Sequence, residues 1–226
     1  MIERPEVTER NPNAESTKVT PTARIALWGV LLLVLAGAFF SWALTWKTGS
    51  PQVEAGPLPV IAAVPDFSLT ERSGKTVTKA ELFGKVWIAD FVFTRCSGPC
   101  PALSARMQRL QNHFKDQKDL KLVTFTLDPT VDTPEVLHDY ANRFHADVER
   151  WWFLTTDDEK KMHGLVKSGF FQTVIPAGDG KEMLHSTYLV LIDRQGRIRG
   201  AYDGSDLQNQ PQLVSDAAKL LSEPNL

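Results

Sequence analysis

The chain has 226 residues, with 25 basic and 27 acidic side chains and a net charge of −2. These charges form no block of one sign, so a nucleic-acid partner is not predicted. The length that remains after an apolar N-terminal segment, about 165 residues, suits one domain that can bury a core without disulfides.

The N-terminal part of the chain is dominated by an uncharged apolar segment, residues 25–46. A helix of this length covers the ~30 Å hydrocarbon core at ~1.5 Å per residue. Trp28 near one end, and Trp42 and Trp46 near the other, fit an interfacial aromatic belt. Basic residues cluster before the segment more than after it, which predicts a single transmembrane anchor with the N-terminus inside and the domain on the periplasmic or other extracytoplasmic side.

A cleaved signal peptide is the less favoured interpretation of this segment. The leader before it carries several glutamates, and no small-residue cleavage site follows it. The polar residues 1–24 are predicted to be a disordered tail. Residues 47–64, rich in Gly and Pro, are predicted to be an extended linker, and residues 65–226 the folded domain.

The domain begins with strand patterns. Residues 66–70 and 75–78 flank a turn and predict a β-hairpin. The apolar run 86–93 lacks helical periodicity and predicts a strand that is buried on both faces. This strand leads directly into the loop that holds the cysteines.

The remaining elements alternate between helix and strand. An apolar stripe ending at Phe114 predicts a helix of about four turns, and Thr133 with Pro134 predicts the capped start of another helix. Further predictions are strands at 122–127, 152–154, 188–192 and 197–202, helices at 157–168 and 210–221, and an irregular excursion or hairpin at 169–184. This order predicts an α/β fold with helices on both faces of the sheet.

The chain's two cysteines, Cys96 and Cys100, lie in the loop after the strand 86–93. A helix is predicted to begin directly after them, and its free N–H groups and dipole favour thiolates. A structural disulfide across so short a loop would remove little chain entropy, so that interpretation is less favoured. The pair therefore predicts a redox site or a metal site.

The spacing of the cysteines bears on this choice. Three residues separate them, where thioredoxin-like oxidoreductases have two. A wider pair can hold its sulfurs apart around an ion. Two thiolates are too few for a closed structural zinc site, whereas soft Cu(I) accepts few ligands, with thiolates and imidazole among them.

A histidine would complete such a metal site. Four histidines lie at or within predicted helical segments, where solvated or capping roles are expected: His113, His138, His145 and His163. His185 differs, because it comes just before the buried strand 188–192. If that strand runs antiparallel to the strand 86–93, His185 lies at the rim that carries the cysteines. A surface histidine at a strand entrance explains the sequence equally well.

Three segments carry a more specific pattern: 91–101 with its CxxxCP motif, 126–134, and 185–196. Together they resemble the Sco/SenC family of copper-site assembly proteins, with matching order and spacing over about residues 65–202. The resemblance implies a thioredoxin-like fold. Here that means a mixed sheet flanked by helices, with an N-terminal β-hairpin extension and a single N-terminal transmembrane helix.

The resemblance also implies a copper ion held by Cys96, Cys100 and His185. Asp128 matches a family aspartate and is implied to support these ligands. Family members assist assembly of the copper A centre of cytochrome c oxidase, as copper donors or as reductants of its cysteines. The implied partner is therefore the copper-accepting subunit of the oxidase.

Two residues depart from the family pattern. Pro99 replaces a branched aliphatic residue, and Arg95 adds a positive charge that favours thiolates and opposes a metal cation. Thiol-disulfide reduction, acting on cysteines of the oxidase subunit or of another exported protein, is therefore the alternative function. In it Cys96 would be the attacking thiolate and Cys100 the resolving thiol of a reversible disulfide, with His185 assisting proton transfer.

Overall fold

The computed structural model describes residues 21–47, 56–175 and 184–224. The chain divides into two units, residues 1–55 and 56–226. In the first unit the described element is helix α1 (Pro21–Lys47). Within these described ranges, no helix combines the length and the apolar character that crossing a membrane requires. Most of the predicted tail and part of the predicted linker lie outside the described residues.

The described residues of the second unit form ten strands and four α-helices. The strands are β1 (Ala62–Ala63), β2 (Ser68–Glu71), β3 (Thr76–Thr78), β4 (Val86–Val92), β5 (Leu120–Thr126), β6 (Trp151–Thr155), β7 (Val174–Ile175), β8 (Leu184–His185), β9 (Tyr188–Ile192) and β10 (Arg197–Asp203). The helices are α2 (Cys100–His113), α3 (Pro134–Arg143), α4 (Glu159–Gly164) and α5 (Asn209–Ser222). A 3-10 turn, Lys79–Leu82, follows β3, and a π-helix, Leu165–Gly169, continues α4.

Eight strands form one mixed sheet, in the order β1-β10-β9-β4-β5-β6-β2-β3. The central strands β4, β5 and β6 are parallel, and every other neighbouring pair is antiparallel. Ile88 of β4 lies opposite Leu122 of β5 and Leu191 of β9, so β4 is paired on both sides. The β2–β3 pair is the predicted N-terminal hairpin, and it extends the sheet beyond β6.

Helices cover both faces of this sheet, as the sequence predicted. On one face α2, α3 and α5 contribute Leu110, Leu137 and Leu213 to a buried cluster. On the other face α4 and the π-helix contribute Met162 and Val166. Each fully buried side chain of this size stabilises the fold by about 1.5–3 kcal/mol. Two apolar layers therefore hold β4 rigidly, and β4 leads into the cysteine loop.

Two helix starts have local causes in the sequence. Thr133 caps α3 by accepting a hydrogen bond from the backbone N–H of Val136, and Pro134 takes the first helical position, as predicted. Asp158 caps α4 in the same way through the N–H of Lys161, at 3.0 Å. These caps satisfy N–H groups that have no partner inside the helix.

The structure differs from the sequence prediction in two places. Strand β1 pairs with β10 although it lies within the predicted linker, so the sheet begins before residue 65. The predicted helix 157–168 is an α-helix only to Gly164 and then widens into the π-helix. In the predicted excursion, β7 and β8 form an antiparallel pair, while residues 176–183 lie outside the described residues.

Candidate metal centre

The two cysteines are positioned by different elements. Cys100 is the first residue of α2, and its side chain is only 1% exposed. Cys96 is partly buried in the loop between β4 and α2, where its N–H donates to the carbonyl of Phe93 at 3.2 Å. Both are free thiols. The pair therefore combines one thiol fixed in a helix with one thiol carried by a loop.

His185 lies just before the start of β9, at the edge of the sheet where β4 ends. Strand β9 runs antiparallel to β4, with Ala89 opposite Val190, which fulfils the condition stated from the sequence. The start of β9 therefore lies beside the end of β4. His185 itself belongs to β8 and is paired with Val174 of β7. A small separate hairpin thus presents the imidazole.

The structure brings the three predicted ligands together. The sulfurs of Cys96 and Cys100 and a ring nitrogen of His185 all lie within 4.8 Å of one another. Cys100 Sγ and His185 Nε2 lie 3.3 Å apart. The ring of Phe93 meets the imidazole edge-on, with centroids 5.6 Å apart. Two sulfur donors and one imidazole donor thus face a common point.

The protonation of His185 suits metal binding. Its Nδ1 lies 2.9 Å from the carbonyl oxygen of Ser186, and a carbonyl only accepts, so Nδ1 carries the hydrogen. This leaves the lone pair of Nε2 directed to the sulfur side. Burial lowers the pKa of His185, against the opposing effect of its bond to Ser186. The neutral ring is the form that coordinates metals.

The thiol of Cys100 behaves differently from the sequence expectation. A position at a helix N-terminus predicted a lowered pKa, but burial raises the pKa of Cys100, and the hydrogen bond and charge of Cys96 and the charge of Asp90 raise it further. That expectation was wrong because desolvation outweighs the helix dipole at a side chain this deeply buried. Cys100 therefore keeps its proton more strongly than an exposed thiol does, and a bound metal cation would favour its thiolate.

Asp128 lies one contact away from the thiol loop. Its carboxylate accepts a hydrogen bond from Nη2 of Arg95 at 2.6 Å, and its other oxygen accepts from the Thr130 hydroxyl at 2.9 Å. The hydrogen bond to Asp128 raises the pKa of Arg95. The positive charge that the sequence placed beside Cys96 is thus engaged by Asp128. Asp128 thus contacts the loop through Arg95.

A second aspartate in the same turn holds the loop more closely, and sequence reasoning missed it. Asp132 accepts hydrogen bonds from the backbone N–H of Thr94 at 3.1 Å and from the Thr94 hydroxyl at 2.5 Å. It is fully buried. Its place in the segment 126–134 was visible, but no sequence signal paired it with Thr94.

The other four histidines have separate surroundings. Two of them contact neighbouring polar groups: His163 Nε2 lies 2.7 Å from the carbonyl of Leu127, and His138 Nδ1 accepts from Asn142 at 3.2 Å. The ligand cluster found in the described residues includes none of these histidines: His113, His138, His145 and His163.

Comparison with known proteins agrees with this geometry. The family model described as SCO1/SenC matches residues 58–222. The chain belongs to the SCO1/SenC family. A SCO1/SenC family lipoprotein from Bacillus anthracis is 32% identical, with a TM-score of 0.66, and the match covers 70% of this chain and 95% of that one.

Two further solved structures are similar to this chain. BsSco, a member of the Sco family of cytochrome c oxidase assembly proteins in which a disulfide switch was identified, is 25% identical with a TM-score of 0.66, covering 74% of this chain and 98% of its own. Yeast Sco1 with copper bound is 22% identical with a TM-score of 0.58, covering 74% and 91%. The likeness to the yeast protein concerns the fold.

Proposed function

We propose that this chain binds one copper ion through Cys96, Cys100 and His185. The observation that carries the proposal is the convergence of two free thiols and a neutral imidazole within 4.8 Å. Thiolates and imidazole are donors that Cu(I) accepts in small numbers. Yeast Sco1, which shares the fold, binds copper.

The burial of the three ligands suits transfer of the ion as well as binding. Cys100 is buried, whereas Cys96 and His185 are partly exposed. A partner's ligands can therefore approach from the side of Cys96 and His185 while Cys100 still holds the ion. Stepwise replacement of ligands would let the ion pass without being released to water.

We infer that the receiving partner is the copper-accepting subunit of cytochrome c oxidase, at its copper A centre. The support is membership of the SCO1/SenC family together with the similarity to BsSco, a cytochrome c oxidase assembly protein. Loss of oxidase activity in cells without this chain, restored by added copper, is the expected result. Normal oxidase activity in such cells would contradict the inference.

Attachment to the membrane, with the domain on the extracytoplasmic side, is part of the proposal. Its support is the uncharged segment 25–46 with tryptophans near both ends, and the lipoprotein nature of the similar Bacillus anthracis protein. The full chain is expected to stay with membranes during extraction at alkaline pH. Release into the supernatant would contradict an anchor in this segment.

Thiol-disulfide reduction is a second candidate function, which the unequal exposure of the two thiols favours. A thiolate at Cys96 would attack a partner's disulfide, forming a mixed disulfide and releasing one partner thiolate. Cys100 would then attack Cys96, closing the internal disulfide, and its proton would pass to the departing sulfur, which leaves as the second partner thiol. BsSco, which is similar to this chain, has a disulfide switch.

Copper titration of the reduced full-length chain tests the leading proposal. We expect one ion per chain, and a large loss of affinity in His185→Ala. His138→Ala on α3 is the matched control and should bind like the wild type, because His138 contacts Asn142. Absence of stoichiometric binding, or unchanged binding in His185→Ala, would reject the proposal and leave the reductase as the better candidate.

A further inference from the structure

The loop that carries Cys96 is held by one short turn of the chain. Thr94 and Arg95 are the two residues before Cys96, and each contacts a carboxylate, Asp132 for Thr94 and Asp128 for Arg95. These two aspartates begin and end a single turn, which the N–H of Asp132 closes by donating to the carbonyl of Asp128 at 2.9 Å. The turn 128–132 therefore binds both residues that precede Cys96 in its loop, Thr94 and Arg95.

The Asp132 contact is the stronger of the two. Its carboxylate is fully buried and accepts from the N–H and the hydroxyl of Thr94 and from the hydroxyl of Thr126 at the end of β5. By contrast, the side chain of Arg95 is 64% exposed. Hydrogen bonds to a buried charged group are stronger than exposed ion pairs, which water and salt screen. Asp132 thus fixes the loop to β5, a central strand of the sheet.

The position of Cys96 decides the distance between the two sulfurs. Cys100 is held in the first turn of α2 and is buried, so it has little freedom to move. A disulfide needs the sulfurs at about 2.05 Å with a restricted dihedral angle. In the structure both are free thiols facing a point shared with His185. Closing the disulfide therefore requires the sulfur of Cys96 to move toward Cys100, and the contact of Thr94 with Asp132 fixes the start of the loop that carries it.

We propose that Asp132 is a positioning residue that holds Cys96, through Thr94, in the open dithiol arrangement and disfavours closure of the disulfide. This inference rests on the proposed function, because it concerns the same three ligands. It adds a residue that touches neither sulfur and that controls the balance between the copper-binding and the disulfide form.

The test compares variants by their thiol-disulfide equilibrium with glutathione. In this reaction the two thiols are oxidised to the internal disulfide, and one oxidised glutathione is reduced to two reduced glutathiones. The full-length reduced chain is used for the wild type, Thr94→Val, Asp132→Ala and the double variant. Thr130→Val is the matched control, since its hydroxyl contacts Asp128 in the same turn and not Thr94.

We expect Thr94→Val to shift the equilibrium toward the disulfide by about ten-fold, the effect of one hydrogen bond to a charged group. Asp132→Ala should shift it at least as far, because it also removes the bond from the N–H of Thr94. The double variant should shift it no further than Asp132→Ala, because both remove the same contact. Thr130→Val should stay near the wild type. Unchanged equilibria in both single variants, or a shift toward the dithiol, would overturn the proposal.

A shift in the thiol-disulfide equilibrium can be distinguished from loss of stability and from failure of the proposed copper binding. Lower stability alone would change the melting temperature without favouring the disulfide over the dithiol. If Asp132→Ala does not fold, Thr94→Val decides, since it loses only the hydroxyl contact. The glutathione equilibrium needs no copper, so a wild type that binds no copper would reject the proposed function while leaving this measurement intact.

Discussion

Cys100 Sγ lies 3.3 Å from Nε2 of His185, although 85 positions separate the two residues in the chain. The first residue of α2 and the end of a two-residue strand meet at this point. Neither element alone offers enough donors for a metal ion. The antiparallel pairing of β9 with β4 creates the contact, so the candidate centre depends on the sheet topology.

The unequal burial of the thiols gives a prediction about covalent trapping. Cys100→Ala should accumulate a mixed disulfide between Cys96 and a partner protein, because the partly exposed thiol can attack while the resolving thiol is missing. Cys96→Ala should not, because Cys100 is buried and burial raises its pKa. Non-reducing electrophoresis of cell extracts detects the adduct. Equal trapping by both variants would contradict the assigned order of attack.

Gly204 is predicted to be needed for close packing at the edge of the sheet that carries the three ligands. A Cβ at Gly204 would lie 2.3 Å from Leu103 Cδ2 and 2.4 Å from the carbonyl oxygen of Thr187. Leu103 lies in α2, which begins at Cys100, and Thr187 follows shortly after His185. We expect Gly204→Ala to lower the free energy of unfolding by about 1–3 kcal/mol and to weaken copper binding.

Gly164→Ala is the matched control for that substitution. Gly164 ends α4 with a helical φ of −61° and has open space where a Cβ would be placed. Alanine there should raise the free energy of unfolding by about 0.5–1 kcal/mol and leave copper binding unchanged. Chemical denaturation measures the change in the free energy of unfolding of each variant, and copper titration measures its binding. A tolerated Gly204→Ala would show that the rim is less tightly packed than the structure indicates.

The buried carboxyl of Asp90 in β4 predicts a pH dependence of stability. Burial raises the pKa of Asp90 to about 7, against the opposing hydrogen bond from the Thr124 hydroxyl. The unfolded carboxyl titrates near 3.9, so between about pH 4 and pH 7 the folded chain binds more protons than the unfolded chain. The contribution of Asp90 to stability is therefore present at low pH and is lost as the pH rises through 7.

Asp90→Asn isolates this effect. Because the amide does not titrate, the variant should lose less stability than the wild type between pH 5 and pH 8, and the difference between the two curves reports Asp90 alone. Asp116→Asn, at an exposed position just after α2, should follow the wild-type curve. Denaturation at several pH values provides the measurement. Parallel curves for the wild type and Asp90→Asn would contradict a raised pKa at this site.

Much of the fold could be predicted from local patterns. The largely apolar run of β4 predicted a central strand, and Thr133 with Pro134 predicted the start of α3, because burial and capping act on neighbouring residues. The π-helix after Gly164 could not be predicted, since its apolar periodicity resembles that of an α-helix. Strand β1 was missed because two residues give no periodicity.

The candidate site was predictable to the extent that strand ends share a rim. The loop made Cys96 and Cys100 a candidate pair, and the place of His185 before a buried strand made it a candidate ligand that a surface histidine explained equally well. The pairing of Asp132 with Thr94 joins residues 38 positions apart and depends on packing. The raised pKa of Cys100 was not foreseen, because the sequence does not show how deeply a helix start is buried.

X-ray absorption at the copper edge of the copper-loaded, reduced full-length chain tests the central claim most directly. The account predicts two sulfur ligands and one imidazole nitrogen on a single copper ion in the wild type. Replacing Cys100 by serine should remove one sulfur, and His185→Ala should remove the imidazole signal. A wild-type spectrum without sulfur ligands, or one unchanged by both substitutions, would contradict copper binding at Cys96, Cys100 and His185.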